Sequence, residues 1–359
     1  LTTGKPIGTG PFTYGSYTPN VEVRLNRWDR YWQAPANFPT VIFVIYTDVT
    51  TAHNAFLSYA VDENNMPADQ NLALYESDPK LTVYRFTEET GAPSLSYNYL
   101  GFNNQKYNVT WRKAMSYAVN YTYVVDELRL GNANRAVGAI SPGFGAPYNA
   151  SVEAIAPQYN ITKAREIIVS MGFGSMGWTD AQWIAVANSG SPFLSVPNTY
   201  NIGNSFREDM FVALNNWYKL IGVDVVDDGV EFTQFLTYLN DDVDHLGVYA
   251  IGWGPDYLDP YNMLDPLFNP VSGSNSAQVN DTWLNTQMEA ALAETDDNAR
   301  NDIYKSIQWY MAARGFFHAP LFHSRVLTVH GSNIYGFPYN AMGSLRIFPI
   351  YRGLYPPFG

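Results

Sequence analysis

Cysteine is absent from the 359 residues, which removes disulfides, thiolate nucleophiles and Cys-ligated zinc or iron–sulfur centres together. Cations are sparse: 21 Lys and Arg stand against 33 Asp and Glu, a formal charge of −12. Phosphate backbones are held by clustered Lys and Arg, so nucleic acid is excluded as a partner. The acidic balance reads as solubility. No stretch approaches the roughly 18 apolar residues that a membrane helix needs. No signal peptide opens the chain, and the start at Leu1-Thr2-Thr3-Gly4 suggests a processed or incomplete product. G-x-S-x-G, P-loop and dinucleotide fingerprints are missing as well.

What is present describes a folded protein long enough for two domains: 46% apolar, only 15% charged, with 27 Tyr. Val21 to Leu25 alternates apolar and charged residues, the period of a half-buried strand. Phe12 to Tyr14, Val83 to Phe86, Tyr97 to Phe102, Val223 to Val226 and Leu246 to Trp253 are further strands. Val41 to Tyr46, β-branched and aromatic, reads as a strand covered on both faces. Helical spacing predicts helices over 51–59, 111–128 (capped by Asn108 or Thr110), 163–171, 206–221, 282–294 and 298–314. Ser205 and Glu208 read as a capping box for the fourth of these. His318 to Val329 is extended, and the five-residue spacing of His318 and His323 puts them on opposite strand faces. They make no metal site, and the other three histidines are isolated.

Several segments together carry a resemblance. Gly8-Thr9-Gly10-Pro11-Phe12 is followed by Val23-Arg24-Leu25-Asn26-Arg27, Tyr31-Trp32 and Thr47-Asp48-Val49-Thr50-Thr51-Ala52. Then come Tyr99-Leu100-Gly101-Phe102-Asn103, the run Arg112 to Asn120, Gly252-Trp253-Gly254-Pro255-Asp256-Tyr257-Leu258-Asp259-Pro260 and Leu264-Asp265-Pro266-Leu267-Phe268. In this order they resemble the extracellular solute-binding family that includes oligopeptide-, dipeptide- and nickel-binding proteins and some sugar binders. The resemblance implies an α/β, two-lobed periplasmic-binding-protein-like fold (type II). Residues 1–97 would be part of lobe one, 98–323 lobe two and 324–359 the return to lobe one. It implies that lobe one is incomplete in this chain, so that an amino-terminal fragment or a neighbouring subunit completes it. It further implies a binding protein and not an enzyme, without cofactor, closing by a hinge and serving a membrane ABC permease. The expected location is extracellular, at the cell surface or periplasmic, with membrane association through a segment not in this chain.

The same resemblance points to a ligand site. Trp253 and Asp256 close an apolar strand, and loops at the carboxyl ends of such strands line ligand clefts. In peptide-binding relatives the carboxylate matching Asp256 pairs with the ligand's α-ammonium group, a charge-assisted bond strengthened where water is excluded. Trp253 would supply a flat wall and Tyr257 a further lining group, whereas Asp259 reads as a turn residue. The expected ligand is a peptide. An oligosaccharide on the same fold, or a structural surface-assembly role, are the alternatives. Five N-x-S/T triplets, at Asn108, Asn120, Asn149, Asn160 and Asn280, are candidate glycosylation sites. A chain this rich in Asn yields roughly four by chance.

Overall fold

The computed structural model describes residues 6–65, 67–86, 94–343 and 345–353. The chain divides into two compact units. One comprises Leu1–Gly91, Val326–Asn340 and Ser344–Gly359, the other Ala92–Arg325 and Ala341–Gly343.

In the first unit, β1 (Phe12–Thr18), β2 (Glu22–Arg27) and β3 (Thr40–Val44) form an antiparallel sheet in that order. The expectation that Val41 to Tyr46 is covered on both faces is corrected here. The strand stops at Val44, and Ile42, Phe43 and Val44 are 43%, 38% and 41% exposed. Side-chain type reports strand propensity, not the number of covered faces, and β3 is a sheet edge. Helix α1 (Val49–Leu57) starts two residues before the predicted 51, because Asp48 caps it by accepting from the Thr51 amide at 2.7 Å. Helix α2 (Leu72–Ser77) precedes β4 (Leu81–Arg85), and Phe56, Leu72, Tyr75, Leu81 and Val329 bury a small core between them.

The second unit is built on a six-stranded mixed sheet. Its strands are β5 (Tyr97–Phe102), β6 (Ala133–Arg135), β7 (Leu194–Asn201), β8 (Val223–Val230), β9 (Val248–Trp253) and β10 (His318–Ser324). Their order is β6-β10-β5-β9-β7-β8, with β7 parallel to both β8 and β9. Alternation sends Leu100, Phe102, Val248 and Ala250 to one face and Tyr97, Tyr99 and Tyr249 to the other. Helices α3 (Val109–Ala118), α4 (Ile161–Ser170), α5 (Asp180–Ala187) and α6 (Ser205–Lys219) cover the first face. Helices α7 (Phe232–Asn240), α8 (Tyr261–Phe268), α9 (Thr282–Ala293) and α10 (Asp297–Tyr310) cover the second. This is the three-layer arrangement of a doubly wound α/β sheet. The chain then returns to the first unit as β11 (Leu327–Gly331), antiparallel to β4. Among the described residues no helix is long and apolar enough to cross a membrane.

Gly101 is a point of close approach in the sheet: a Cβ there would lie 2.4 Å from the Tyr249 ring. The Tyr249 hydroxyl lies over that glycine, next to His318, whose ring stacks on Tyr99 at 4.0 Å.

Three expectations are corrected in this unit. The helix over 111–128 breaks after Ala118. Val119 is extended, Asn120 caps a new turn by accepting from the Tyr123 amide, and that turn runs into a π-helical turn, Val124–Leu128. An Asn side chain offers the backbone this alternative to continuing the helix. Helix α6 is capped by Asn204, which accepts from the Arg207 amide at 3.1 Å, and not by Ser205; the Glu208 carboxylate accepts from Gly203. Finally, His318 and His323 do not face opposite ways. A register shift between Pro320 and Phe322 inserts an extra residue, so both rings lie beside Tyr97, at 6.2 and 6.4 Å.

The two histidines make acid stability measurable. Burial pushes His318 down to about 3, helped by the Arg112 charge, and His323 down to about 4. In the unfolded chain an imidazole takes up its proton near 6.5. The fold therefore holds neutral rings that the unfolded chain would protonate, and the stability present above that value is lost as pH falls toward 4. The thermal midpoint is expected to drop through this window. His318→Phe, which keeps the stack on Tyr99, should flatten the drop; an unaltered pH profile would remove His318 from the account.

Candidate functional site

Strands β7 and β9 lie side by side and parallel, yet their connections leave in opposite senses. After β7 the chain enters α6 on one face of the sheet, and after β9 it enters α8 on the other. Such a reversal opens a crevice at the carboxyl ends of the two strands. The paired stretch between them ends at Asn198 and Val248. Beyond it, side chains occupy the β7 side of β9: Asn198 Nδ2 donates to the Val248 carbonyl at 3.1 Å and Arg207 Nε to the Ala250 carbonyl at 3.0 Å. Arg207 also donates to Asn201 Oδ1, and its guanidinium lies over the Phe235 ring. Burial lowers the Arg207 pKa to about 10, so it stays charged at neutral pH, with no carboxylate partner among the described residues.

By strand alternation, Gly252 turns its N–H and C=O to the same side as Val248 and Ala250. It lies beyond the paired stretch and is exposed. A side chain there would meet Asn98 Oδ1 at 2.6 Å, so any other residue would have to displace the Asn98 side chain. Asn98 is itself steadied by donating to Ser324 Oγ at 3.3 Å.

The predicted residues fall on the loop that follows. Trp253 is half-buried against the core of the second face, and its indole N–H donates to the Asn262 carbonyl at 2.9 Å. The Asp256 amide donates to Asn262 Oδ1 at 2.6 Å, while its carboxylate is exposed and takes no hydrogen bond or ion pair from a described residue. Tyr257 is 50% exposed. Asp259 is a turn residue, as expected: its carboxylate accepts from the Tyr261 amide at 2.8 Å and the Tyr304 hydroxyl at 3.0 Å, and pairs with Arg300. Two carboxylates three positions apart thus differ in kind. Asp259 is consumed by the fold, and Asp256 is held out by its backbone alone.

Sequence reasoning missed Asn262, Asn98 and Arg207. Asn262 is buried and ties both Trp253 and Asp256 to the start of α8. Nothing in its local sequence separates it from an ordinary helix-start residue. Asn262→Ala frees the Asp256 amide and should cost about 1 kcal/mol. The measurement is the urea midpoint, and an unchanged midpoint would show the loop to be held by other contacts.

Four of the five candidate glycosylation residues are helix caps. The side chains of Asn108, Asn120, Asn149 and Asn160 each accept from a backbone amide at the start of a helix or helical turn. The Asn149 Nδ2 additionally donates to the Lys305 carbonyl at 2.9 Å, and attached sugar would leave that nitrogen a single N–H. Asn280 is exposed. Among the described residues no cluster of His, Asp and Glu could hold a metal ion.

Comparison with known proteins places this geometry in context. The chain is 25% identical over 330 residues to heme-binding protein A of Haemophilus influenzae, covering 88% of this chain and 56% of that protein. It is 26% identical over 312 residues to the dipeptide-binding protein of Escherichia coli, covering 85% and 54%. It thus spans about half the length of these curated relatives. The crystal structure of a dipeptide-binding protein from Pseudoalteromonas in complex with Met-Leu superposes with a TM-score of 0.81 at 19% identity, over 97% of this chain and 65% of that one. The fold is therefore that of the periplasmic peptide-binding proteins. Residues 1–275 match the family model for the middle part of bacterial extracellular solute-binding proteins, family 5, and the chain belongs to that family.

Proposed function

We propose that this chain captures peptides for an ABC importer, holding the free α-amine at the Asp256 carboxylate. The observation that carries the reading is that carboxylate: exposed, without a described partner, and fixed by its own amide on the loop that leaves the carboxyl end of β9. An ammonium group placed there gains a charge-assisted hydrogen bond, and a neutral ligand end does not. The bare Gly252 backbone beside it suits an extended main chain, which pairs by strand addition. Trp253 and Tyr257 line the first side chain, and the Arg207 cation favours a ligand that also bears a negative charge. The relatives named for dipeptides support the same substrate class.

Binding without covalent chemistry, hinge closure, delivery to a membrane permease and an extracellular or periplasmic location belong to this proposal. So does the division into lobes at 97/98 and 323/324. An amino-terminal fragment or neighbouring subunit completing lobe one would cover the exposed apolar side chains of β3. The test is native mass spectrometry with short peptides offered in free-amine and N-acetylated form. Retention of the free-amine peptides alone is expected. Equal retention of both, or capture of haem or a nickel complex in their place, would overturn the reading.

A further inference from the structure

Helix α6 carries a second surface of mixed chemistry. Asp209, Val212, Ala213, Asn216 and Trp217 recur at helical spacing and form one stripe along it. Facing them are Tyr123 and Leu128, at the two ends of the π-helical turn. Together these seven residues line a groove of about 340 Å³. It shares no residue with the β7/β9 crevice.

Each wall has a distinct character. Trp217 is buried, and the Tyr123 ring meets it edge-on at 5.7 Å and 87°, so the two give an aromatic corner. Val212 and Leu128 add apolar surface, with Val212 55% exposed. Asp209 and Asn216 are exposed, and neither side chain is engaged by a described residue. Among the described residues no cation lines the groove, while Asp126 and Glu127 stand exposed on the same turn as Leu128. The turn is itself unusual, since π-helical turns are rare and gather at functional sites.

A carboxylate, a carboxamide and an aromatic corner in one groove fit one chemical class. We propose that this groove binds small organic ammonium ions with an apolar body. The ammonium pairs with Asp209 and donates to the Asn216 carbonyl oxygen. The body lies against Trp217 and Tyr123, where ring faces favour both apolar surface and positive charge. Anions are repelled by Asp209, Asp126 and Glu127. This goes beyond the peptide reading and does not depend on it.

The probe is phenethylamine, with 2-phenylethanol as its uncharged counterpart. The readout is the indole ¹H–¹⁵N resonance of Trp217, assigned by its disappearance in Trp217→Phe. Phenethylamine should shift that resonance saturably, and Asp209→Asn should weaken binding about fivefold while leaving the thermal midpoint in place. Asp256→Ala should leave the titration unchanged, which separates this site from the peptide site. An unmoved Trp217 resonance, an equal response to the alcohol, or full binding in Asp209→Asn would each overturn the proposal.

Discussion

Asp256→Ala is expected to weaken capture of free-amine peptides by about 2–5 kcal/mol, roughly 30-fold to several thousandfold, and to leave the fold intact. The fold is spared because only the Asp256 backbone amide is used structurally, by Asn262 Oδ1. The size of the loss follows from what remains. Where the proposed hinge closure excludes water, the ligand's ammonium would, with the carboxylate gone, have to surrender its water without a counter-charge, and that desolvation is the costly part. Calorimetric titration of wild type and variant with free and N-acetylated forms of one peptide isolates the pair. Acetylation should cost the wild type heavily and the variant little. If both proteins lose equally on acetylation, the amine is read elsewhere and Asp256 has no such role.

The second large effect concerns the frame behind the site. Arg112→Met should destabilise the protein by about 3–5 kcal/mol. Arg112 is buried, and its guanidinium donates to three carbonyls: Tyr107 at 2.5 Å, Phe316 at 3.0 Å and Gly315 at 3.1 Å. The last two close the π-helical turn Met311–Gly315 that follows α10, where carbonyls lack helical partners and a cation is favoured. Burial lowers the Arg112 pKa to about 10, so the charge persists through neutral pH. Methionine keeps the apolar stem and leaves three buried acceptors without donors. Urea denaturation of the variant measures the cost. A loss below about 1 kcal/mol would mean that water replaces the guanidinium. Lysine, with one ammonium for three diverging carbonyls, should rescue only in part.

Much of the second unit was legible because its strands and helices carry their own periodicity. Tyr97 to Phe102 is a strand with the predicted bounds, and α4, α6, α9 and α10 start and stop within a few residues of expectation. The failures share a cause: local side-chain hydrogen bonds and single-residue insertions that spacing cannot register. Asn120 ended one helix, Asn204 displaced Ser205 as a cap, and one extra residue in β10 turned His323 to the side of His318. In the site, the loop after β9 was found from its motif. Its support was not. Asn262 acts through its side-chain oxygen on a backbone amide six residues away, and Arg207 reaches over from α6 to β9. Such roles are set by tertiary placement, which no local pattern encodes. Burial of β3 was misjudged for a related reason: whether a strand is covered depends on neighbours outside the window being read.

The order of the strands has a consequence for how the second unit comes into being. Strand β5 is central, yet both its neighbours, β9 and β10, are encoded far downstream, from residues 248 and 318 onward. As the chain is synthesised, β5 must wait for its first neighbour until residue 253 and for its second until nearly the last residues of the unit have emerged. Pairings this distant in sequence are reached slowly, because a long loop must close before any contact rewards it. The nascent polypeptide therefore has an extended interval in which it is unfolded and prone to clump. Under the extracellular or periplasmic location proposed above, a chain threaded through an export channel before folding would gain from that delay: the sheet stays open until its final strand has been delivered.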